Sequence, residues 1–271
     1  MTISQRRPAS AAAVTQLVRS KVPEVTLLFW VIKVLTTGMG ETASDFLAHH
    51  VDPVAAVGLG GAGLLVALVV QFAVRRYLAW AYWLAVVMVS VFGTMAADVL
   101  HVALGVPYAV STVMFSVALA AVFALWYRVE RTLSIHAITT PRRELFYWAT
   151  VLITFALGTA AGDLTATSMR WGYLVSGLVF AVAIGVPALG HRWLGWNAVA
   201  AFWGAYVITR PLGASFADWM GVSVHRGGLG WGTGPVTLGW AAAIVVLIAV
   251  LAASGIDRPQ VEAANQPPSL H

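Results

Sequence analysis

The stretch FWVIKVLTTGMGETASD, residues 29–45, decides the fold because its frame recurs three times further along the chain. In each copy an aromatic residue precedes a Trp, a Gly lies ten residues after that Trp, and an Asp lies fifteen residues after it. The other copies are YWLAVVMVSVFGTMAAD at 82–98, YWATVLITFALGTAAGD at 147–163 and FWGAYVITRPLGASFAD at 202–218. Four matches at one spacing indicate tandem repeats rather than chance.

A second apolar segment without any charged residue follows each motif, at roughly 54–74, 102–126, 172–190 and 235–254. Only 10% of the 271 residues are charged and 59% are hydrophobic, which is too little polar surface for a soluble domain. A segment of about 20 apolar residues crosses a bilayer as a helix, because its backbone groups must be satisfied internally. The sequence therefore predicts an all-α polytopic membrane helix bundle of eight transmembrane helices, built from four parallel two-helix repeats. The predicted repeats are 25–76, 77–127, 142–191 and 197–255, flanked by cytoplasmic tails at 1–24 and 256–271, the second of them disordered.

The fourfold motif resembles that of a family of bacterial integral membrane proteins described as a repeat of unknown function. Proteins of that family carry two spans and a Trp in each repeat, and they have been labelled uncharacterised membrane-anchored proteins. The resemblance covers roughly residues 21–254, and it implies the architecture but no activity.

Basic residues are distributed unevenly between the two sides of the predicted bundle. With eight spans, twelve Lys and Arg lie on the side of the termini and only Arg170 and Arg226 lie on the other. The positive-inside rule therefore predicts a multi-pass protein of the cell (inner) membrane with both termini in the cytoplasm. Each repeat has two spans, so all four share one orientation and their Asp residues lie at one depth, about 22 Å beyond each Trp. The sequence leaves open whether the motif helices form a pseudo-fourfold ring or pack two-plus-two.

Carboxylates inside the predicted bilayer are the main candidates for ion or substrate binding. Such groups are costly and are usually paired, lined by water or functional. The alternative for each Asp is that it N-caps a following turn. The predicted binding residues are Asp45, Asp98, Asp163, Asp218 and Glu41.

No cofactor is predicted with certainty, but this acidic set favours a bound divalent metal ion. Oxygen ligands suit Mg²⁺, Mn²⁺ or Ca²⁺, whereas imidazole ligands would favour a transition metal. Ordinary interface residues are the alternative interpretation of the two histidines. The candidate metal ligands are Asp45, Asp98, Asp163, Asp218, His49 and His101.

Two bases lie within the motif segments, Lys33 and Arg210. They are predicted to be counter-ions or gate residues, and each lies too far from its own Asp, so its partner must belong to another repeat. For Lys33 the alternative is snorkelling to the cytoplasmic face, and Glu41 could likewise pair with an intramembrane base.

Small and aromatic residues at fixed motif positions have structural alternatives. The glycines either break the helix or allow close packing, which is the favoured interpretation; they are Gly40, Gly93, Gly158 and Gly213. The motif Trp residues are expected in an aromatic belt, with a cytoplasmic gate as the alternative. Threonine hydroxyls could be ligands, although bonding back to the helix is more common; these are Thr36, Thr37, Thr94 and Thr159.

These observations predict a secondary transporter or permease for a small cation, either a divalent metal or a proton-coupled cation. The alternative is a non-transporting membrane scaffold or sensor. An enzyme is not expected, because no nucleophile–base pair is recognisable and the chain has no Cys; a metal-dependent intramembrane enzyme is the minor alternative. The predicted partners are the lipid bilayer and the small cation, without nucleic acid, and assembly into a homo-oligomer is left open.

Overall fold

The computed structural model describes residues 20–258, and the described chain is all-α. Helices with odd numbers carry the motifs and helices with even numbers are the second apolar segments. Residues 20–258 form eight long helices: α1 Leu27–His50, α2 Pro53–Ala73, α3 Ala79–Asp98, α4 Tyr108–Glu130, α5 Pro141–Asp163, α6 Tyr173–Leu194, α7 Ala198–Gly221 and α8 Thr233–Ser254. The predicted fold class, all-α with apolar helices, is confirmed.

Short irregularities modify three of these helices. π-Helical turns extend α3 over Val99–Ala103 and α5 over Leu164–Ser168. A single residue, Ile184, divides α6 into Tyr173–Ala183 and Gly185–Leu194. In contrast, α7 continues as an α-helix through Pro211.

The odd-numbered helices contact one another in a closed ring. Helix α1 packs against α3, α3 against α5, α5 against α7, and α7 against α1. Each even-numbered helix lies outside this ring, mainly against the odd helix of the following repeat: α2 on α3, α4 on α5, α6 on α7 and α8 on α1. The two helices of one repeat therefore do not pack mainly on each other, because the second helix of each repeat packs on the first helix of the next repeat.

Six helices of the described chain are long and apolar enough to cross a membrane. They are α2, α4, α6 and α8, together with α3 and α5 including their π-helical turns. Helices α1 and α7 are also long, with 24 residues each, but they carry charged side chains. Helix α1 contains Lys33, Glu41 and Asp45, and helix α7 contains Arg210 and Asp218. The chain is thus a multi-pass membrane protein, and composition alone supports six of the eight predicted spans.

Burial follows the same division between inner and outer helices. The odd helices supply most of the buried side chains, including polar ones, whereas α2, α4 and α8 expose rows of aliphatic residues such as Leu65, Val113 and Val246. Such apolar rows can face lipid. Charged side chains lie in the interior instead, because protein groups can pair with them there.

The two ends of the bundle are named here by their motif residues. At the Trp end the described termini meet, because the Glu24 amide donates to the Asp257 carbonyl over 2.9 Å. Tyr77 also donates to the Asp257 carboxylate, and Lys21 Nζ lies 2.7 Å from Glu144 Oε2. Residues 20–24 and 256–258 of the predicted tails therefore pack on the bundle, while the rest of both tails lies outside the described residues. The opposite end, at which the motif aspartates lie, is the Asp end.

Candidate functional site

The four motif aspartates line a single cavity of about 430 Å³ at the Asp end. Asp98 and Asp163 are the last α-helical residues before the π-helical turns of α3 and α5. Asp45 and Asp218 lie close to the ends of α1 and α7, and Glu41 lies one turn before Asp45. The equal spacing in the sequence thus becomes convergence in space, because the four helices are arranged in a ring.

The aspartate side chains line this cavity, and their carboxylates differ from Glu41 in having no partner in the described part of the chain. Among the described residues, none of the four carboxylates forms a side-chain hydrogen bond or an ion pair. Asp98 and Asp163 precede the π-helical turns but do not cap them, whereas Asp52, outside the motifs, caps α2 by accepting from two backbone amides. The capping interpretation therefore does not hold for Asp98 and Asp163, and the carboxylates are free to bind water, protons or cations.

Two tyrosines and an arginine of the cavity wall were not predicted as site residues. They are Tyr108, Tyr173 and Arg226, and Arg226 Nη2 donates to the Tyr173 hydroxyl over 2.8 Å. The tyrosines stand ten residues after the motif Asp in the second and third repeats, which is a signal that a search limited to charged residues passes over.

The cavity floor is a buried cluster around Arg210. The guanidinium is fully buried, and its Nη2 pairs with Glu41 and lies against the hydroxyls of Thr94 and Thr159, the latter at 2.7 Å. Its Nη1 donates to the Thr37 carbonyl over 3.2 Å. Arg210 is thus a counter-ion from another repeat, as its spacing predicts, but its described partner is Glu41 and not a motif Asp.

The motif glycines allow the ring to close tightly. A Cβ on each would overlap a residue of the next odd helix: Ser90 for Gly40, Phe155 for Gly93, Arg210 for Gly158 and Thr37 for Gly213. Each of these neighbours stands three residues before the glycine of its own motif. The odd helices continue through all four glycines, so these residues serve helix packing and do not break the helices.

Threonine hydroxyls of the motif helices bond mainly to their own backbone. Thr36, Thr37, Thr94 and Thr159 donate to carbonyls three or four residues earlier. Of these, Thr94 and Thr159 also contact Arg210, so their hydroxyls help to satisfy the buried guanidinium.

Lys33 lies deeper than the arginine cluster, towards the Trp end. Its side chain is fully buried, and Nζ lies 4.1 Å and 4.2 Å from the ring centroids of Phe155 and Tyr206. Within the described chain Nζ has no hydrogen-bond partner and no acidic partner. The snorkelling interpretation is wrong for Lys33, because its ammonium is buried. Its described contacts are with aromatic faces and not with the carboxylates expected of a counter-ion.

Aromatic residues of the four motifs form a closed layer at the Trp end. The first aromatic residue of each motif packs on the Trp of the next repeat around the ring. The pairs are Phe29–Trp83 at 5.6 Å, Tyr82–Trp148 at 5.7 Å, Tyr147–Trp203 at 6.1 Å and Phe202–Trp30 at 5.7 Å between ring centroids.

The layer contradicts the aromatic-belt interpretation for three of the motif tryptophans. Trp83, Trp148 and Trp203 are buried, and the Tyr82 and Tyr147 hydroxyls are hydrogen-bonded to each other. Trp193 and Trp231, which are exposed near helix ends, have the positions expected of an aromatic belt. Trp83, Trp148 and Trp203 are therefore part of the core that closes the Trp end.

Comparison with known proteins agrees with the repeat geometry. The family described as Repeat of Unknown Function (DUF347) matches residues 28–77, 81–132, 146–194 and 201–257. The chain belongs to this family. Neither the curated proteins nor the solved structures gave a match. Each DUF347 repeat thus contributes one Asp to the cavity and one aromatic pair to the opposite layer.

Charged residues distinguish the DUF347 repeats from one another. Glu41 occupies the position of Thr94, Thr159 and Ala214, one residue after the motif Gly. Arg210 stands three residues before its motif Gly, where the other repeats have Thr37, Ser90 and Phe155. One acid and one base thus replace neutral residues in different repeats, and they meet on the axis of the ring.

The histidines differ in their positions at the Asp end. His49 is exposed on the cavity rim, where its Nδ1 lies 2.6 Å from the Asp45 carbonyl oxygen. His101 lies in the π-helical turn after Asp98, close to Asp98 and Asp163. Of the six predicted metal ligands, the structure brings Asp98, His101 and Asp163 into one group, without Asp45, Asp218 or His49.

Proposed function

We propose that this DUF347 protein is a secondary transporter or permease for a small cation, either a divalent metal or a proton-coupled cation. The observation that carries the proposal is the convergence of one Asp from each repeat on a single cavity, each without a side-chain partner among residues 20–258. Carboxylates inside a membrane protein are costly unless they serve a bound or moving ion. Such a fourfold set is therefore better suited to binding than to structural support.

The proposal places all eight long helices across the cell membrane. Helices α1 and α7 close the same ring as α3 and α5, which are apolar enough to span. Their charged side chains lie inside the bundle, where the helices need not be apolar throughout. With the Trp end in the cytoplasm, the basic loops obey the positive-inside rule and the cavity opens outwards. The four parallel repeats are then related by a pseudo-fourfold axis along the membrane normal.

Charge around the cavity favours a cation. Five carboxyl groups line it, and two bases offset them: Arg226 in the wall and Arg210 on the floor. The site is therefore about −3 when all groups are ionised, so cations or protons relieve the repulsion between the carboxylates.

The cavity wall includes exposed residues of the Asp end such as Val102, and two barriers separate the cavity from the Trp end. Arg210 with Glu41 forms the first barrier, and the aromatic layer forms the second. For transport, a cation that reaches Glu41 would compete with Arg210 for the carboxylate, which makes Arg210 the gate residue. Release to the cytoplasm then requires the aromatic layer to part, as in alternating access.

Ion flux into liposomes that contain the purified protein tests this proposal. We expect Asp98→Asn and Asp163→Asn to reduce flux at least tenfold, because each removes a cavity carboxylate. The matched control is Asp52→Asn, since Asp52 lies outside the cavity and Asn also caps helices well. Flux of every cation that is unchanged in the variants of all four motif aspartates would remove the proposal.

A membrane scaffold or sensor is the second candidate, and the closed packing favours it. The aromatic layer and the buried Arg210–Glu41 pair join the four repeats rigidly. This alternative predicts that the Asp→Asn variants weaken folding or partner binding while no cation flux is measurable in the wild type.

A further inference from the structure

One corner of the cavity combines two carboxylates with an imidazole. Asp98, His101 and Asp163 each offer one ligand atom, and these atoms all lie within 4.8 Å of one another. Ligands of a metal ion with bonds near 2.1 Å are necessarily separated by less than about twice that length. The group therefore needs only small side-chain movements to close on one ion.

The His101 ring is held with one nitrogen free. Nε2 lies 2.6 Å from the Ser111 hydroxyl, and Ser111 in turn donates to the Tyr108 carbonyl over 3.0 Å. With that donation in place, the hydroxyl accepts from Nε2–H, which leaves a lone pair on Nδ1. Nδ1 is buried and has no hydrogen-bond partner within the described chain. An outer hydrogen bond that selects the tautomer is the usual support of a histidine that binds a metal.

Comparison of the repeats shows that this histidine is a specific addition. Three residues after the motif Asp, the other repeats have Ala48, Ala166 and Gly221 in place of His101. The serine is present twice, since Ser111 and Ser176 both stand thirteen residues after their motif Asp. Among residues 20–258 the buried Ser176 hydroxyl has no hydrogen-bond partner, because Ala166 cannot supply one. The third repeat therefore provides an internal control for the second.

We propose that Asp98, His101 and Asp163 bind one divalent first-row transition-metal ion, with the His101 nitrogen as the selective ligand. This inference rests on the proposed function, because it names the class of cation that the cavity selects. One imidazole with two carboxylates suits Mn²⁺, Fe²⁺, Co²⁺ or Zn²⁺, whereas Mg²⁺ and Ca²⁺ prefer oxygen ligands alone. Three protein ligands leave positions for water from the cavity, so the ion can enter and leave.

Binding of Co²⁺ to the purified full-length protein tests the site without any flux measurement. Co²⁺ gives visible absorption that reports nitrogen ligation and low coordination number. We expect one Co²⁺ per chain, displaced by equimolar Zn²⁺ but not by a hundredfold excess of Mg²⁺. His101→Ala should weaken Co²⁺ binding at least a hundredfold, while His49→Ala should leave it unchanged.

The two serines give a control that does not alter any ligand. Loss of a hydrogen bond to a ligating histidine typically costs about 10–100-fold in metal affinity. We therefore expect Ser111→Ala to weaken Co²⁺ binding within that range and Ser176→Ala to have no effect. If His101→Ala fails to fold, this serine pair still decides the question. Equal affinity of both serine variants, or Mg²⁺ that competes as well as Zn²⁺, would overturn the proposal.

The metal site and the transport proposal can fail separately. Co²⁺ that binds as expected without any cation flux in liposomes would retain the site and remove transport. Flux that depends on the motif aspartates but not on His101, in a protein that does not bind Co²⁺, would retain transport and remove the site.

Discussion

Replacement of Glu41 by Thr would leave Arg210, the buried positive charge on the cavity floor, without its carboxylate partner. Thr is the residue of the second and third repeats at this position, so the change restores the local pattern of the ring. Arg210 is 0% exposed and keeps its contacts to Thr159 at 2.7 Å and to the Thr37 carbonyl at 3.2 Å. These neutral oxygens solvate the guanidinium in part but do not balance its charge.

The size of the effect follows from the burial of the pair. Removal of one partner of a buried ion pair costs about 3–5 kcal/mol, because the other charge remains away from water. For a chain of this size a loss of 1 kcal/mol lowers the melting temperature by about 2–4 °C. We therefore expect Glu41→Thr to melt roughly 6–20 °C below the wild type in nanodiscs, as followed by tryptophan fluorescence.

A double-mutant cycle with Arg210→Thr separates the charge effect from general loss of packing. The double variant leaves neither charge without its partner. Its loss of stability should therefore be smaller than the sum of the two single-variant losses by about 2–3 kcal/mol. The matched control is Arg142→Ala, which removes the pair between Arg142 and Glu130 at the Trp end. The Arg142 side chain is 67% exposed, so this pair should contribute less than about 1 kcal/mol. If Glu41→Thr costs under about 1 kcal/mol, or if the two losses add, the pair does not hold the ring together as argued.

Two further predictions concern the packing of the ring. Gly213→Ala should destabilise the protein by about 1–3 kcal/mol, because the new methyl group would overlap Thr37 and the Val34 carbonyl. Gly58→Ala should be neutral or slightly stabilising in the same thermal assay, because its methyl group would meet no atom of another described segment within 4 Å. Trp83→Ala should cost about 3–5 kcal/mol because Trp83 is fully buried in the aromatic layer, whereas Trp80→Ala, at a side chain 52% exposed, should have little effect. Equal melting temperatures within either pair would contradict the assignment of those residues to the interior.

The sequence predicts that the motif aspartates lie at one level, but only the ring of odd-numbered helices brings them into one cavity. Equal spacing from Trp to Asp places the four carboxylates at one level, since each residue of a helix advances by a fixed rise. It does not establish that they share one cavity, which depends on closure of α7 against α1. That contact joins residues about 170 positions apart, and no periodicity within one helix specifies it.

The aromatic layer shows where local pattern was misleading. A Trp near the start of an apolar span is typical of an interfacial belt, yet Trp83 and Trp148 are buried. Each of them packs on the aromatic residue of the preceding repeat. The choice between lipid headgroup and protein interior depends on the neighbouring helix, which the sequence of a single repeat does not contain.

The sequence by itself determined the repeat, the helical fold and the rows of acidic, glycine and aromatic residues. It could do so because a bilayer forces apolar segments into helices, in which spacing translates directly into depth and face. Only the tertiary structure decided that each outer helix covers the next repeat, that Glu41 meets Arg210, and that His101 of one repeat joins Asp163 of another. Those partners come from different helices, and their contacts depend on how whole helices pack rather than on any interval along the chain.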